Sequence, residues 1–426
     1  MNKKTVLLAL AGILASASAT QAQLKLDKVF ENIFNKVLNQ DLILSPGDHA
    51  RHYLDAAADA NRVLTPALNA LIASNVSSFP LTATTAGVTF DWSTGRPVSI
   101  TQSLGPIFAE TAETLGKGKI NAEVNFTYLN LAQLRGLATK DTRFAFFHED
   151  VDQTGILGDT NFESDILNLT LGFDVNASIF VSSATVGVTN NLDIGLAIPI
   201  VNVRLSGEAH AVLEGPTSDI FHILGANDVI DVVPYDESAT GLGDVALRLK
   251  YSFVRGAGIN LAAFIDARFP TGEKENFLGT GKTNTRFSMI GSKKMRNFSP
   301  HINLGYNYRP AEFDSDELEL AVGFDQKVAE GVTVAVDLLG ELKDAIQFLP
   351  EETVTIVYQQ QTNFVPRKVD LTNIPQKDYD NTLNAAFGFR IAPSERALFL
   401  GNILVPLNDG GLRPEITPTI GMTLSF

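Results

Sequence analysis

The chain has 426 residues, contains no cysteine, and carries 48 acidic against 33 basic residues, which gives a net charge of −15. The lack of cysteine excludes disulfides, thiolate metal sites and a lipid-modified cysteine. The negative charge excludes a basic nucleic-acid-binding surface, and no cofactor is expected.

Residues 1–22 have the pattern of a secretory signal peptide. Lys3 and Lys4 precede an apolar run, and Ala17-Ser18-Ala19 forms a cleavage site, with Ala22 as the alternative. The apolar run is too short to span a bilayer as a helix, and no run of about 18 apolar residues follows it. An exported chain of this kind is either a soluble β-protein or an outer-membrane barrel.

Residues 23–76 are predicted to be helical. Apolar residues recur at three- and four-residue spacing between Leu26 and Leu38, which predicts an amphipathic helix of about four turns. Ser45-Pro46 resembles the start of a second helix, which would run to about Ser74. We expect both helices to lie at the periplasmic mouth of a barrel.

Residues 77–118 are predicted to form a plug-like or gating segment. This stretch is rich in Pro, Gly, Thr and Ser, and residues 87–92 and 97–102 could pair as a short hairpin. Both arms are too short to span a bilayer, because a tilted membrane strand needs about 9 to 11 residues.

From Lys119 to Phe426 the pattern is that of barrel strands. Apolar and polar residues alternate, as in Ile302, Leu304 and Tyr306 against His301 and Asn303. Such two-faced strands are typical of an antiparallel transmembrane β-barrel with a polar lumen. The predicted strands cover residues 119–131, 162–189, 192–204, 242–254, 258–269, 283–293, 299–309, 317–328, 332–344, 382–392, 397–405 and 415–426.

The connections support a count of about 12 strands. Short turns alternate with long connections, which is the arrangement of outer-membrane barrels with periplasmic turns and external loops. This alternation requires residues 162–189 to be one strand, and a bulge near Asn176 would explain why its apolar residues change from odd to even positions. Fourteen strands is the alternative, if the short hairpin lengthens into the wall.

Several motifs of the chain resemble a known family. Ser103-Leu104-Gly105-Pro106 to Lys119, Gly187 to Pro199, Gly241-Leu242-Gly243-Asp244 and Phe269-Pro270-Thr271-Gly272 are similar to the meta-pathway phenol-degradation-like family of outer-membrane barrels. The resemblance covers about residues 103–426. It implies a barrel related to the hydrophobic-compound channels typified by the long-chain fatty-acid transporter.

The alternation places charged side chains of both signs on the lumen face. Opposite charges on neighbouring strands could form a structural ladder of ion pairs, or they could form a constriction that determines selectivity. The candidate lumen residues are Arg248, Lys250, Asp266, Arg268, Arg286, Arg309, Glu319, Asp325, Lys327, Asp337, Glu341 and Arg390.

Two weaker site predictions concern a metal and an enzyme. Acidic residues of the external loops, among them Asp150, Asp152 and Asp159, either form a self-repelling rim or bind a divalent cation. His49 and His52 have metal-ligand spacing but no completing carboxylates. His301 near a serine could act in an outer-membrane hydrolase, although a lumen polar group is the simpler interpretation, and we expect no enzyme.

The sequence therefore predicts a barrel in the outer membrane of a Gram-negative-type bacterium, in contact with lipid. The favoured function is a passive channel for small, hydrophobic or aromatic molecules. The alternative is a non-conducting barrel that binds a partner or stabilises the envelope. An acidic mouth disfavours phosphate and sugar-acid anions as solutes.

Overall fold

The structure is a computed structural model. It describes residues 24–40, 52–79, 81–84, 89–91, 96–98, 104–159, 163–214, 229–256, 258–348, 353–360, 363–394 and 397–424. The predicted signal peptide, the Ser45-Pro46 helix start and His49 lie outside these residues. No helix within the described ranges has the length and apolarity needed to cross a membrane.

Twelve antiparallel strands close into a barrel, as predicted. The last strand pairs with the first, with Thr419 opposite Thr127. The strands are β1 (Lys119–Leu134), β2 (Ile166–Gly187), β3 (Leu192–Glu214), β4 (Val229–Leu242, continued by Val245–Val254), β5 (Asn260–Phe269), β6 (Asn284–Ser292), β7 (Phe298–Tyr308), β8 (Glu317–Ala329), β9 (Val332–Leu342), β10 (Thr382–Ser394), β11 (Ala397–Pro406) and β12 (Thr417–Leu424).

The predicted hairpin exists but does not enter the wall. Thr89–Asp91 pairs with Arg96–Val98, and within the described part of this hairpin Phe90 and Asp91 pair with Ile120 and Lys119 of β1. The fourteen-strand alternative is therefore wrong, because β1 is already paired with β2 on one side and β12 on the other.

The short turns lie at one end of the barrel and the long connections at the other, which we call the short-turn end and the long-loop end. Long loops of outer-membrane barrels face the cell exterior. The connections contain further strands and single helical turns: Leu137–Ala138, Thr142–Phe147, Thr353–Gln360, Asn363–Asp370, Leu412–Pro414, Thr139–Asp141 and Lys274–Asn276.

An apolar band on the outer face marks the membrane-spanning part of the wall. On β3, Ile194, Leu196 and Ile198 point outward with about 40% of their surface exposed, whereas Arg204 and Glu208 follow on the same face. The lipid-facing stretch thus ends near residue 200, but β3 continues to Glu214. The expectation of a loop over residues 205–241 is wrong for its described part, because β3 and β4 extend the wall beyond the lipid and remain paired there.

The change of apolar face along β2 has the same cause. Pairing with β3 runs without a register shift from Ile166 to Gly187, so the predicted bulge near Asn176 is absent. Phe180 and Val186 point out to lipid, whereas Leu169 and Leu171 point in and are fully buried. Beyond the lipid boundary the outer face meets water and the inner face meets protein, so the apolar residues change sides while the backbone stays regular.

Two helical segments provide the protein that fills this outer part. The first, α1, covers residues 26–40 as Leu26–Lys28, Val29–Asn35 and Lys36–Gln40; the second, α2, covers residues 54–77 as Leu54–Asp59, Ala60–Leu64 and Thr65–Ser77.

The helices lie inside the barrel at the long-loop end. Phe30 packs against Phe173 of β2 at 5.8 Å between ring centroids. The backbone N–H of Leu26 donates to Asn276 Oδ1 in the loop after β5, at 3.3 Å. The predicted periplasmic position is therefore wrong. The apolar stripes of both helices need an apolar partner, and the outer parts of β1 to β4 offer an apolar inner face that packs with them in one core.

The lipid boundary can be tested with one arginine placed at two positions of β3. Leu196→Arg puts the charge on the lipid face and is expected to destabilise the barrel by about 2–4 kcal/mol. Ser206→Arg lies on the same face beyond the boundary, beside Asp174 and Asp236 on the neighbouring strands, and is expected to change stability by less than about 0.5 kcal/mol. Urea unfolding of protein folded into lipid vesicles measures both, and equal effects would contradict the boundary.

Candidate lumen site and plug

The chain leaves α2 and runs down the lumen toward the short-turn end. Wall arginines hold its backbone carbonyls. Arg268 Nη2 donates to the Phe79 carbonyl at 3.1 Å, and Arg248 Nη1 donates to the Thr82 carbonyl at 3.0 Å. The Thr82 hydroxyl donates to Glu123 Oε1 of β1 at 2.7 Å. Arg248 and Arg268, which are two of the predicted lumen residues, thus bind the main chain of this segment inside the barrel.

Residues 104–118, which we call the plug segment, cross the lumen in the half nearest the short turns. Residues 104–117 belong to no strand, and wall side chains instead accept hydrogen bonds from their backbone N–H groups. The pairs are Leu104 with Thr333 Oγ1 at 2.9 Å, Phe108 with Asp337 Oδ2 at 3.1 Å, Glu110 with Asn303 Oδ1 at 2.6 Å, Ala112 with Ser292 Oγ at 3.0 Å and Leu115 with Asp193 Oδ2 at 2.8 Å.

Glu110 is the main electrostatic anchor of the plug segment. Its side chain is 6% exposed and is contacted by four polar groups of three residues. Arg248 Nη2 lies 3.0 Å from Oε1 and Lys250 Nζ lies 2.6 Å from Oε2. The Thr84 backbone N–H and hydroxyl donate to the same two oxygens at 2.8 Å. Both cations are nearly inaccessible to water, so the Glu110 carboxylate compensates buried positive charge at the plug, and Asp266 is a second partner of Arg248.

A second charged group surrounds His301. Its Nε2 lies 2.8 Å from Asp337 Oδ1 and its Nδ1 lies 3.7 Å from Asp325 Oδ1. Arg390 lies at the same end, where its Nη2 donates to the Pro106 carbonyl of the plug segment at 2.7 Å. Neither ring nitrogen of His301 hydrogen bonds to a serine hydroxyl in the described part of the chain, so this group lacks a hydrolase's base–nucleophile pair.

A third group lies nearer the long-loop end. Arg286 Nε is 2.9 Å from Glu319 Oε2, Arg309 Nη2 is 2.9 Å from Asp314 Oδ2, and Arg309 also pairs with Glu317. Asp314 belongs to the loop between β7 and β8, and burial raises the pKa of its carboxyl although the Arg309 guanidinium opposes the rise.

All twelve predicted lumen residues lie on the inner face. Most of them form ion pairs with neighbouring residues or bind the plug segment, as expected for the predicted structural ladder of ion pairs. Asp266 lies between Arg248 and Arg268, at 3.5 and 3.6 Å. Glu341 accepts a hydrogen bond from Thr382 Oγ1 at 2.7 Å, and Lys327 is half-buried opposite Thr333. A role of these residues in selectivity stays a prediction.

Three cavities follow one side of the lumen from the long-loop end to the plug. The outermost, of about 670 Å³, lies between α2 and the loops after β5 and β7 and shares Ser74 with the second. The second, of about 120 Å³, we call the mid-lumen cavity; it shares Arg286, Leu339 and Glu341 with the third. The third, of about 80 Å³, ends on Phe108 and Glu110 of the plug segment.

Sequence reasoning missed Glu110 and Arg413, the two side chains on which the site depends most. Both lie outside the predicted strands, so alternation could not assign them to the lumen. Glu110 carried a weak signal, because it is the first carboxylate after a stretch without acidic residues that begins at Trp92. Arg413 carried none; its short strand Leu412–Pro414 pairs with the outer end of β1.

The predicted metal residues are only partly brought together. Asp150 and Asp152 lie with Glu163, and one oxygen of each is within 4.8 Å of the others. Asp159 instead accepts a hydrogen bond from the Thr154 hydroxyl at 2.9 Å. His52 pairs with Glu149 and stacks on His148 at 4.5 Å. Divalent cation binding stays a prediction.

Comparison with known proteins confirms the predicted family resemblance. Residues 154–337 match the profile of the family described as MetA-pathway of phenol degradation. No curated protein matches the chain in sequence.

Several solved outer-membrane proteins have a similar chain path. An outer membrane channel from Pseudomonas putida F1 is 11% identical, with 74% of this chain and 98% of that chain covered and a TM-score of 0.42. A Pseudomonas aeruginosa FadL homologue is 10% identical, with 72% and 90% covered and a TM-score of 0.34. The TodX monoaromatic hydrocarbon channel (deltaS2 mutant) is 9% identical, with 83% and 100% covered and a TM-score of 0.37. We draw no functional conclusion from likenesses at this level.

Proposed function

We propose that this outer-membrane β-barrel, whose central strands match the phenol-degradation family, is a passive channel for small hydrophobic or aromatic molecules. The closed barrel, its apolar outer band and the family match locate the chain in the outer membrane of a Gram-negative-type bacterium. The proposal concerns what passes through it and how.

The observation that carries the proposal is the relation between the cavities and the plug. The cavities lead from the exterior to a segment that is held by side-chain hydrogen bonds and ion pairs rather than by strand pairing. Such contacts can be exchanged for water one at a time, whereas removing a paired strand would break the wall. The plug segment therefore acts as the gate, and its displacement toward the short-turn end opens the path.

Support for an apolar or aromatic solute comes from the mid-lumen cavity. Leucines from β1, β9 and β11 line one side of it, and charged residues line the other. A purely polar solute would leave the leucine side without a partner.

The number of buried contacts between plug and wall also favours a second function, a permanently closed barrel. Two measurements separate the two functions. Planar-bilayer recordings of the purified full chain are expected to show openings. Cells that carry the protein in their outer membrane are expected to take up a labelled aromatic tracer faster than cells without it. Correctly folded protein that shows neither current nor faster uptake would favour the closed barrel.

A further inference from the structure

We propose that the mid-lumen cavity binds the carboxylate group of a small monoanion with an apolar body, and that Arg413 is the residue that binds it. This inference rests on the proposed function, since it names the class of solute that passes the lumen. It goes beyond that function because a charged group, not hydrophobicity alone, would then select the solute.

The first observation is that Arg413 lines the cavity and is without a carboxylate partner. The residue is 6% exposed. Its Nη2 donates to Asn384 Oδ1 and, at 3.4 Å, to the Leu383 carbonyl, both neutral acceptors. Its buried Nε has no hydrogen-bond partner. No acidic side chain of the described residues forms an ion pair with Arg413 within 4.0 Å, and the carboxylates that act on its charge from farther away are those of Glu341 and Asp409.

The other cations of the cavity differ from Arg413 in this respect. Arg309 pairs with Asp314 and Glu317, Lys343 pairs with Glu317 at 3.3 Å, and Arg286 pairs with Glu319. Glu341 and Asp409 attract Arg413 only from beyond 4.0 Å. A buried cation without a counter-charge in contact is costly, and a bound carboxylate would reduce that cost. Guanidinium and carboxylate also match in shape, since two parallel N–H groups can donate to two oxygens.

The second observation is the apolar side of the same cavity. Leu129, Leu131, Leu404 and Leu412 line it, and all four are at least nine-tenths buried. The free volume of about 120 Å³ holds about eight to twelve water-sized groups at 10–15 Å³ each. Benzoate and hexanoate, with nine and eight non-hydrogen atoms, are within this range.

The outermost cavity restricts the charge of the ligand. Its lining contains five carboxylates against three lysines, so it repels anions at long range. The repulsion of a dianion is twice that of a monoanion, which favours a monocarboxylate over a phosphate or a dicarboxylate. The acidic lining of this cavity therefore disfavours all anions, but it disfavours monoanions least.

The test is calorimetric binding to the detergent-solubilised full chain, with sodium benzoate and sodium hexanoate as anionic probes and benzyl alcohol as the neutral probe. Arg413→Gln is expected to weaken benzoate binding at least about tenfold, since a hydrogen-bonded charge contributes about 1.5–3 kcal/mol. Benzyl alcohol is expected to bind more weakly than benzoate to the unmodified protein and equally to both proteins. Stronger binding of hexanoate than of benzoate would identify the body as aliphatic, within the proposed class.

Two further variants keep the test decisive. Asn384→Asp places a carboxylate against Arg413 without changing shape and is expected to abolish benzoate binding, even if Arg413→Gln does not fold. Arg296→Gln removes the same charge from an exposed short turn and is expected to bind benzoate normally. Unchanged benzoate affinity in Asn384→Asp, or no benzoate binding to the unmodified protein, would overturn the inference. Because binding in detergent needs no conduction, a failed channel assay is a separate result.

Discussion

Replacing Glu110 with glutamine is expected to open the channel, with bilayer current and tracer uptake at least about tenfold above those of the unmodified protein. The change keeps the shape of the side chain but removes, in a buried site, the carboxylate that lies 2.6 Å from Lys250 Nζ and 3.0 Å from Arg248 Nη2. Breaking a buried ion pair from one side costs about 3–5 kcal/mol. This cost destabilises only the closed state. When the plug segment is displaced, Arg248 and Lys250 are in contact with water in either protein.

The Glu110 experiment needs a folded barrel and a matched control. Resistance to unfolding in cold detergent, seen as a shift in electrophoretic mobility on heating, establishes folding. Glu330→Gln removes an equal charge from an exposed short turn and is expected to leave conductance unchanged. Adding Lys250→Met to Glu110→Gln removes one of the two cations that Glu110 contacts and is expected to restore part of the closure. If the folded Glu110→Gln protein conducts as the unmodified protein does, Glu110 does not hold the gate.

Tethering the plug segment to the wall is expected to abolish passage of solute. The chain contains no cysteine, so an Ala112→Cys, Ser292→Cys pair would be the only thiols present. The Ala112 backbone N–H lies 3.0 Å from Ser292 Oγ, which brings the two residues close enough for a disulfide to be attempted. Oxidised protein is expected to show no openings, and reduction is expected to restore them.

A second cysteine pair separates the effect of the tether from that of oxidation. Ala263 and Met289 are direct partners on β5 and β6 and point outward, so a disulfide between them joins two strands that are already paired. The oxidised Ala263→Cys, Met289→Cys protein is expected to conduct normally. Equal conductance of the tethered protein before and after reduction would mean that solute does not need the plug to move.

Much of the architecture could be predicted from local pattern. Alternation of apolar and polar residues from Lys119 onward predicted the wall, and the order of short and long connections predicted twelve strands. The inner face of the wall followed from the same alternation, so every predicted lumen charge lies inside. These properties depend on residues adjacent in the chain and on whether each face of a strand meets lipid or water. The alternation of side chains with a period of two reflects both.

The same local pattern gave a wrong prediction where the surroundings of a strand change along its length. On β2 the apolar residues change faces near the lipid boundary, which the sequence alone presents as a bulge, and on β3 the same boundary resembles the end of the strand. Only the structure showed a straight strand that leaves lipid on its outer side and gains α1 and α2 on its inner side.

What the sequence by itself determined is the barrel: its strand count, the inner and outer faces of the membrane-spanning strands, and the export of the chain as an expectation. What only the tertiary structure decided is the content of the lumen, namely helices at the long-loop end, a plug held by Glu110, and Arg413 facing leucines from distant strands. The physical reason is the range of the interactions. Strand periodicity is set by adjacent residues, whereas Glu110 meets Arg248 and Lys250, and Arg413 meets the leucines of β1, only after the barrel has closed around them.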